Sequence, residues 1–153
     1  MTDITIRKGE AQDIIQVFEL VKDLATYEKL LHEVELTPAE MLIDGFGEKP
    51  LFEVLVAELN YKIVGISLYY FKYSTWKGKR LFLEDIVVKE ELRRMGIGTM
   101  LFEATKIRAK ELNCNGMNWL VLDWNDPAMD FYKKYGAKFE PEWMLATLSK
   151  DKL

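Results

Sequence analysis

The chain has 153 residues, of which 49% are hydrophobic and 30% charged, proportions that are typical of a folded globular protein and exclude a disordered chain. A formal net charge of −4 argues against non-specific nucleic-acid binding as the main role. The single cysteine, Cys114, excludes an intrachain disulfide framework, and neither a signal-peptide-like region nor a membrane-spanning stretch is found. We therefore expect one cytoplasmic domain over residues 1–153, without a nucleic-acid or membrane partner.

The first elements follow from the spacing of apolar residues. Alternation over residues 4–7 predicts a short strand, and the 3-4 apolar spacing of residues 11–26 predicts an amphipathic helix. Thr37 precedes a proline and stands three residues before a glutamate, which predicts an N-capped second helix. That helix is expected to end near Gly45 and Gly47.

Three β-type runs follow at residues 52–58, 62–73 and 79–88, and the first two are joined as a hairpin at residues 60–61. A third helix is predicted over residues 99–112. The remaining predicted elements are a strand over 117–122, a helix opened by Asp126 and Pro127 and closed by Gly136, and closing strands at Phe139 and over 143–148.

The order of these elements predicts the type of sheet. The early strands follow each other through short turns, which favours antiparallel pairing, whereas the strand–helix–strand unit after them favours parallel pairing. We expect an α/β fold with a mixed sheet and helices on both faces.

The segment from Leu83 to Leu101 carries the clearest functional signal. A β-rich apolar run leads into the loop Arg93–Gly98, which holds two glycines one residue apart and precedes a helix. Free N–H groups at a helix start form an anion site, and glycines allow close approach of a ligand. A Gly-Lys-Ser/Thr ending is absent, and so is the third glycine of a dinucleotide fingerprint. The loop therefore indicates a phosphate or pyrophosphate site of another kind.

The Arg-x-x-Gly-x-Gly pattern of Arg93–Gly98 resembles the acetyl-CoA loop of the GNAT N-acetyltransferase superfamily. The resemblance implies a mixed central sheet of about six to seven strands flanked by helices and splayed after the fourth strand, at Val88. It implies acetyl-CoA as co-substrate and requires no metal. The residues that it assigns to acetyl-CoA are Ile86, Val87, Val88, Arg93, Arg94, Met95, Gly96, Ile97, Gly98, Thr99, Asn125, Asp126, Pro127 and Ala128.

The segment from Asn125 to Gly136 resembles the Asn-x-x-Ala/Ser…Phe-Tyr-x-x-x-Gly segment of the same superfamily. The resemblance places Tyr132 beside the thioester sulfur. A phenol there could protonate the departing thiolate, because the pKa values of phenols and thiols differ by roughly two units. The spacing by itself is equally that of an aromatic core face, formed by Phe131, Tyr132 and Tyr135.

Glu84 and Asp85 stand side by side in a predicted strand, so their side chains should point to opposite faces. An amine must lose its proton before it attacks a thioester, and a carboxylate can hold the ammonium form and accept that proton, directly or through water. We predict this catalytic role for Glu84. The alternative is a rim carboxylate held by a nearby arginine such as Arg80.

Four segments of the chain, Leu24–Lys29, Leu42–Gly47, Leu68–Lys79 and Leu83–Asp85, are similar to the diamine (spermidine/spermine) N-acetyltransferases, and the match runs from Ile4 to about Trp143. This resemblance implies a homodimer, with residues 140–143 completing the substrate rim from the partner. Two positions depart from the pattern: Ser74 replaces an acidic residue, and Arg94 replaces a glycine. The residues assigned to the substrate are Tyr27, Glu28, Trp76, Glu84, Asn118, Trp119 and Leu120.

The sequence thus predicts an acetyl-CoA-dependent N-acetyltransferase acting on a primary amine of a small cationic, diamine- or polyamine-like substrate, by direct attack in a ternary complex. The loss of an acid at Ser74 keeps a thialysine-like amino acid open as the acceptor. A peptide N-terminus and a non-catalytic module that senses CoA or an amine remain as alternatives. His32 has no second histidine with which to form a metal site.

Overall fold

Two units make up the chain, residues 1–120 and 121–153, and the computed structural model describes residues 3–153. The first unit holds a five-stranded sheet and three helices. Its elements are β1 (Thr5–Lys8), α1 (Ile14–Tyr27), α2 (Pro38–Phe46), β2 (Glu53–Leu59), β3 (Lys62–Ser74), β4 (Gly78–Val88), α3 (Ile97–Glu111) and β5 (Met117–Trp119). The second unit holds α4 (Asp126–Lys133).

The strand order is β1-β2-β3-β4-β5, so each strand lies beside its neighbour in the chain. The first four strands pair antiparallel, and β5 pairs parallel to β4 after the crossover through α3. Short turns allow antiparallel pairing, whereas a parallel pair requires a long crossover. The predicted mixed sheet is confirmed.

Helices cover both faces of the sheet, as predicted. α1 and α2 pack on one face, where Val17 and Phe18 meet Val56 and Ile66 in the larger core cluster. α3 packs on the other face, where Leu101 belongs to a smaller cluster of buried residues. Alternate residues of each strand point to opposite faces, so one strand contributes to both clusters.

Local capping explains two of the helix starts. The backbone N–H of Glu40 donates to Oγ1 of Thr37 at 3.2 Å, so the predicted N-cap of α2 is confirmed. A short 3-10 turn over Ala11–Asp13 precedes α1, and the buried Asp13 accepts hydrogen bonds from Arg7 at 2.8 and 3.0 Å. The ion pair between Arg7 and Asp13 connects β1 to the start of α1.

The number of strands is lower than expected: five strands form among residues 3–153, not six to seven. The predicted strand over 117–122 ends at Trp119, and neither Phe139 nor the run 143–148 forms a strand. Trp143 and Leu145 are exposed. β-Branched and apolar composition favours a strand only where a neighbouring strand supplies the hydrogen bonds, and no described strand pairs with this run.

Candidate functional site

The edge of β4 that faces β5 is paired only over Leu81–Leu83, and no described strand pairs with it further along. The N–H of Lys89 donates to the carbonyl of Val64 on β3 at 2.9 Å. Because peptide groups alternate in direction along a strand, the main-chain groups of Ile86 and Val88 turn away from β3. The N–H and carbonyl groups of Ile86 and the N–H group of Val88 therefore offer hydrogen bonds to a ligand that carries amide groups.

A β-bulge interrupts β4 at Glu84. Leu68 on β3 pairs with Asp85 and the next residue, Tyr69, pairs with Leu83, so Glu84 is the extra residue. Bulges redirect side chains and are frequent beside active sites. The exposed Glu84 carboxylate accepts a hydrogen bond from the Tyr70 hydroxyl at 3.3 Å.

The alternative role for Glu84, a rim carboxylate held by an arginine, does not agree with the structure. Among residues 3–153, Glu84 forms no ion pair. Its carboxylate is left available to a ligand.

Three carboxylates, those of Glu28, Glu84 and Asp85, lie close enough to affect one another. Loss of hydration, followed by the charges of Glu84 and Glu28, raises the pKa of Asp85 to about 7. Loss of hydration and the charge of Glu84 also raise the pKa of Glu28, and the same two causes raise the pKa of the Tyr70 phenol. This acidic cluster, at the bulge and at the end of α1, can hold a cation and accept a proton.

The predicted phosphate loop becomes helical earlier than expected. α3 begins at Ile97 rather than at Thr99, and Gly96 is its N-cap with φ of 82°. The first turn of the helix leaves N–H groups without intrahelical partners, which is the arrangement that binds phosphate groups. Ile97 is buried and anchors this end of the helix, whereas Met95 is exposed.

Arg94 lies in the left-handed region, with φ of 69°. A residue with a β-carbon there carries strain of roughly 1–2 kcal/mol, which glycine does not. The departure from the family pattern at this position therefore has a conformational consequence. Among the described residues, Arg94 has no hydrogen bond or ion pair, so its guanidinium can interact with an anionic ligand.

Arg93, in contrast, contacts the protein on two sides. Its Nε donates to the carbonyl oxygen of Val88 at 3.2 Å, and its guanidinium carbon lies 5.3 Å from the ring centroid of Tyr27. The sequence resemblance assigns Arg93 to the coenzyme, Val88 to the strand edge and Tyr27 to the substrate. The structure thus brings these three predicted site residues together.

In the second unit, Asn125 caps α4: its Oδ1 accepts from the N–H of Ala128 at 3.3 Å, with Pro127 in the first turn. Tyr132 is buried, and its ring meets Phe131 edge-on at a centroid distance of 5.4 Å. Both residues therefore stabilise this unit in addition to any role in catalysis.

The structure does not bring Trp76 to Glu84. Trp76 is 83% exposed in the turn of the β3–β4 hairpin, where the Ser74 hydroxyl accepts hydrogen bonds from the N–H groups of residues 76 and 77. Glu84 lies six positions after Gly78 on β4, roughly 20 Å of extended strand. The hydroxyl of Ser74 stabilises the turn.

The predicted substrate residues on β5 differ in exposure. Asn118 and Trp119 are half-buried, whereas Leu120, which follows the strand, is exposed. The Trp119 ring meets Phe102 of α3 edge-on at 5.5 Å. Trp119 therefore packs against the helix that follows the phosphate loop.

Sequence reasoning assigned no role to Tyr70 and left Asp85 without one. The sequence alone could have indicated a role for Asp85, because an acid beside Glu84 in a sheet needs a partner or a function. No feature of the sequence could have indicated a role for Tyr70, because its contact with Glu84 depends on the register of β3 against β4.

The sequence profile of the acetyltransferase (GNAT) family matches residues 15–137. The chain belongs to the GNAT acetyltransferase family. It is therefore an N-acetyltransferase, and the family uses acetyl-CoA as acetyl donor.

Two curated relatives and one solved structure illustrate the similarity. The chain is 40% identical to bovine (Bos taurus) thialysine N-epsilon-acetyltransferase over 146 residues, 90% of this chain and 86% of the relative. It is 37% identical to human (Homo sapiens) spermidine/spermine N(1)-acetyltransferase-like protein 1, over 97% of this chain and 23% of that protein. An aminoglycoside N-acetyltransferase in complex with CoA shares the fold, with a TM-score of 0.78 at 16% identity, over 98% of this chain and 97% of that one.

Proposed function

We propose that this GNAT enzyme transfers the acetyl group of acetyl-CoA to a primary amine of a small cationic, diamine- or polyamine-like substrate. This proposal rests on the acidic cluster of Glu28, Glu84 and Asp85 beside the unpaired edge of β4. Three carboxylates attract an ammonium ion and lower the barrier to its entry. The names of the two curated relatives include thialysine and spermidine/spermine, both cationic amines, which supports this substrate class.

Each group in the proposed mechanism has one task. Glu84 accepts a proton from the bound ammonium through a water molecule, and the neutral amine then attacks the thioester carbonyl carbon. A C–N bond forms as the C–S bond breaks, Tyr132 donates its phenolic proton to the departing thiolate, and the nitrogen releases its second proton to solvent, from which the Tyr132 phenolate is reprotonated. The helix start at Ile97 and the guanidinium of Arg94 hold the pyrophosphate, while Ile86 and Val88 bind the amide arm.

A thialysine-like amino acid is the second candidate acceptor, favoured by the similarity to the bovine enzyme. The two candidate acceptors are distinguished by incubating the enzyme with acetyl-CoA and a panel of acceptors. The rate at which free CoA thiol is released is measured with each acceptor. The panel contains putrescine, spermidine, thialysine, lysine and a short peptide. We expect release with the diamine and polyamine at the highest kcat/KM. Preference for the peptide would refute the cationic small-molecule substrate, and CoA binding without release with any acceptor would indicate a sensor.

The role of Glu84 is tested by Glu84→Gln, with Glu90→Gln as the matched control. Both variants lose one exposed carboxylate, but Glu90 lies in the 3-10 turn after β4, outside the cluster. Removal of a general base lowers turnover by roughly 10²–10⁴-fold, so we expect kcat of Glu84→Gln to fall at least a hundredfold. Equal effects of the two variants would remove Glu84 from the mechanism.

We further propose that the enzyme is a cytoplasmic homodimer. Trp76 is similar to a substrate-channel residue but lies far from Glu84 in the same chain, so it can reach a channel only from a second copy. Light scattering after size exclusion should give twice the 17.9 kDa mass of the chain. A monomer with full activity would exclude Trp76 from the channel.

A further inference from the structure

Arg93 joins the last turn of α1 to the end of β4. Its Nε donates to the Val88 carbonyl at 3.2 Å, while the guanidinium carbon lies 5.3 Å from the ring centroid of Tyr27, within the range of a cation–π contact. A planar guanidinium can make both contacts at once, because its N–H groups lie in the plane and its face remains open to a ring.

The last turn of α1 has a weaker apolar anchor than the first. All fully buried residues of the helix lie between Ile14 and Leu20, and the residues after Leu20 are half-buried or exposed. Tyr27, the last residue of the helix, is 39% exposed. The position of this turn therefore depends on contacts at its end, and the contact with Arg93 is one of them.

The same turn leads into Glu28, whose pKa is raised by loss of hydration and by the charge of Glu84. A displacement of Tyr27 would change the separation of Glu28 from Glu84 and weaken the hold of the acidic cluster on a cation. On the other side, the carbonyl bound by Arg93 belongs to the unpaired edge of β4. Arg93 thus contacts both the amine side and the coenzyme side of the proposed site.

We propose that Arg93 is a positioning residue that sets the affinity for the amine through Tyr27 and Glu28, and that links this end of α1 to the coenzyme-binding edge of β4. The inference rests on the proposed function and extends it. It differs from a role as a simple phosphate contact, because it predicts an effect on the acceptor rather than on the acetyl donor alone.

Steady-state kinetics of Arg93→Gln, Arg93→Lys and Arg94→Gln test the assignment. Arg93 and Arg94 are adjacent, and either glutamine variant removes one positive charge from the same loop. We expect Arg93→Gln to raise the amine KM about three- to tenfold, with a smaller change in kcat, and Arg93→Lys to recover part of this loss. Arg94→Gln should raise the acetyl-CoA KM and leave the amine KM within twofold. An effect of Arg93→Gln on the acetyl-CoA KM alone would overturn the proposal.

A double-mutant cycle on stability tests the contact without any turnover. Tyr27→Leu and Arg93→Gln are measured singly and together by urea unfolding. We expect the two effects to be non-additive, with a coupling of about two- to fivefold in the unfolding constant. Additive effects would overturn the contact. Should no amine be acetylated, the proposed function fails while this cycle still reports whether Arg93 holds Tyr27.

Discussion

Replacement of Asp85 by asparagine should stabilise the protein in a pH-dependent way. Loss of hydration and the nearby charges of Glu84 and Glu28 raise the pKa of Asp85 from 3.8 to about 7 in the folded state. Between these values the folded chain keeps a proton that the unfolded chain has lost. Since stability falls with rising pH wherever the folded state binds more protons, the wild type loses stability from about pH 4 to pH 7. Asparagine cannot ionise and avoids this loss.

The magnitude follows from the size of the pKa change. About three pKa units at about 1.4 kcal/mol each give an upper limit of about 4 kcal/mol above pH 7. Asp85 is half-buried, so solvent screening brings the expected gain closer to about 2 kcal/mol. For a chain of this size, a gain of about 2 kcal/mol raises Tm by roughly 5 °C.

The assay is urea unfolding of wild type and Asp85→Asn at intervals from pH 5 to pH 9, followed by tryptophan fluorescence. The difference in free energy of unfolding should be about a third of its final value at pH 5, should grow up to about pH 8 and should then level off. Asp23→Asn, an exposed acid on α1, is the control and should stay within about 0.5 kcal/mol throughout. In the Glu84→Gln background, where one nearby charge is absent and the pKa of Asp85 is raised less, the gain from Asp85→Asn should be smaller and should level off at lower pH. A difference that is constant from pH 5 to 9 would refute the reasoning.

Three further predictions concern single side chains. Tyr132→Phe keeps the ring packed on Phe131 but removes the phenol, so kcat should fall more than roughly tenfold with unchanged acetyl-CoA affinity by calorimetry; full turnover would remove Tyr132 from the mechanism. Arg94→Gly relieves the strain of the left-handed backbone but adds conformational freedom to the unfolded chain, so the free energy of unfolding in urea should rise by about 0.5–1 kcal/mol. The acetyl-CoA KM should rise because a positive charge is lost. A glycine variant that is less stable than the wild type would contradict this account. Thr37→Ala loses the N-cap of α2 and should lower the free energy of unfolding by about 1 kcal/mol, whereas Thr37→Ser should be nearly neutral.

Local signals predicted most of the elements correctly. The N-cap at Thr37, the hairpin from β2 to β3 and the strand–loop–helix unit around Gly96 all depend on residues within a few positions of one another. The predictions of secondary structure failed where an element depends on packing or pairing with another part of the chain. The run 143–148 has strand composition but no described neighbour, and α3 begins two residues early because the buried Ile97 joins the helix.

The candidate site divides in the same way. The sequence identified the loop from Arg93 to Gly98 and selected Glu84 as an acid of interest, since both depend on residue type and spacing. It assigned both arginines of the loop to the coenzyme, which stays a prediction, and it did not anticipate the contacts of Arg93 with Tyr27 and Val88. Side-chain partners across elements depend on packing, which spacing along one strand or loop does not specify.

By itself, the sequence determined the family, the α/β class and the strand–loop–helix unit around Gly96, because glycines, capping residues and apolar periods act over a single turn or strand. The tertiary structure decided the electrostatics of the site. Only the register of β3 against β4 makes Glu84 a bulge, and only the packing of α1 on the sheet brings Glu28 near Glu84 and Asp85. Glu28, distant in the chain, thereby lies near the adjacent pair Glu84 and Asp85, and loss of hydration at Asp85 together with these two charges raises the pKa of Asp85 toward neutrality.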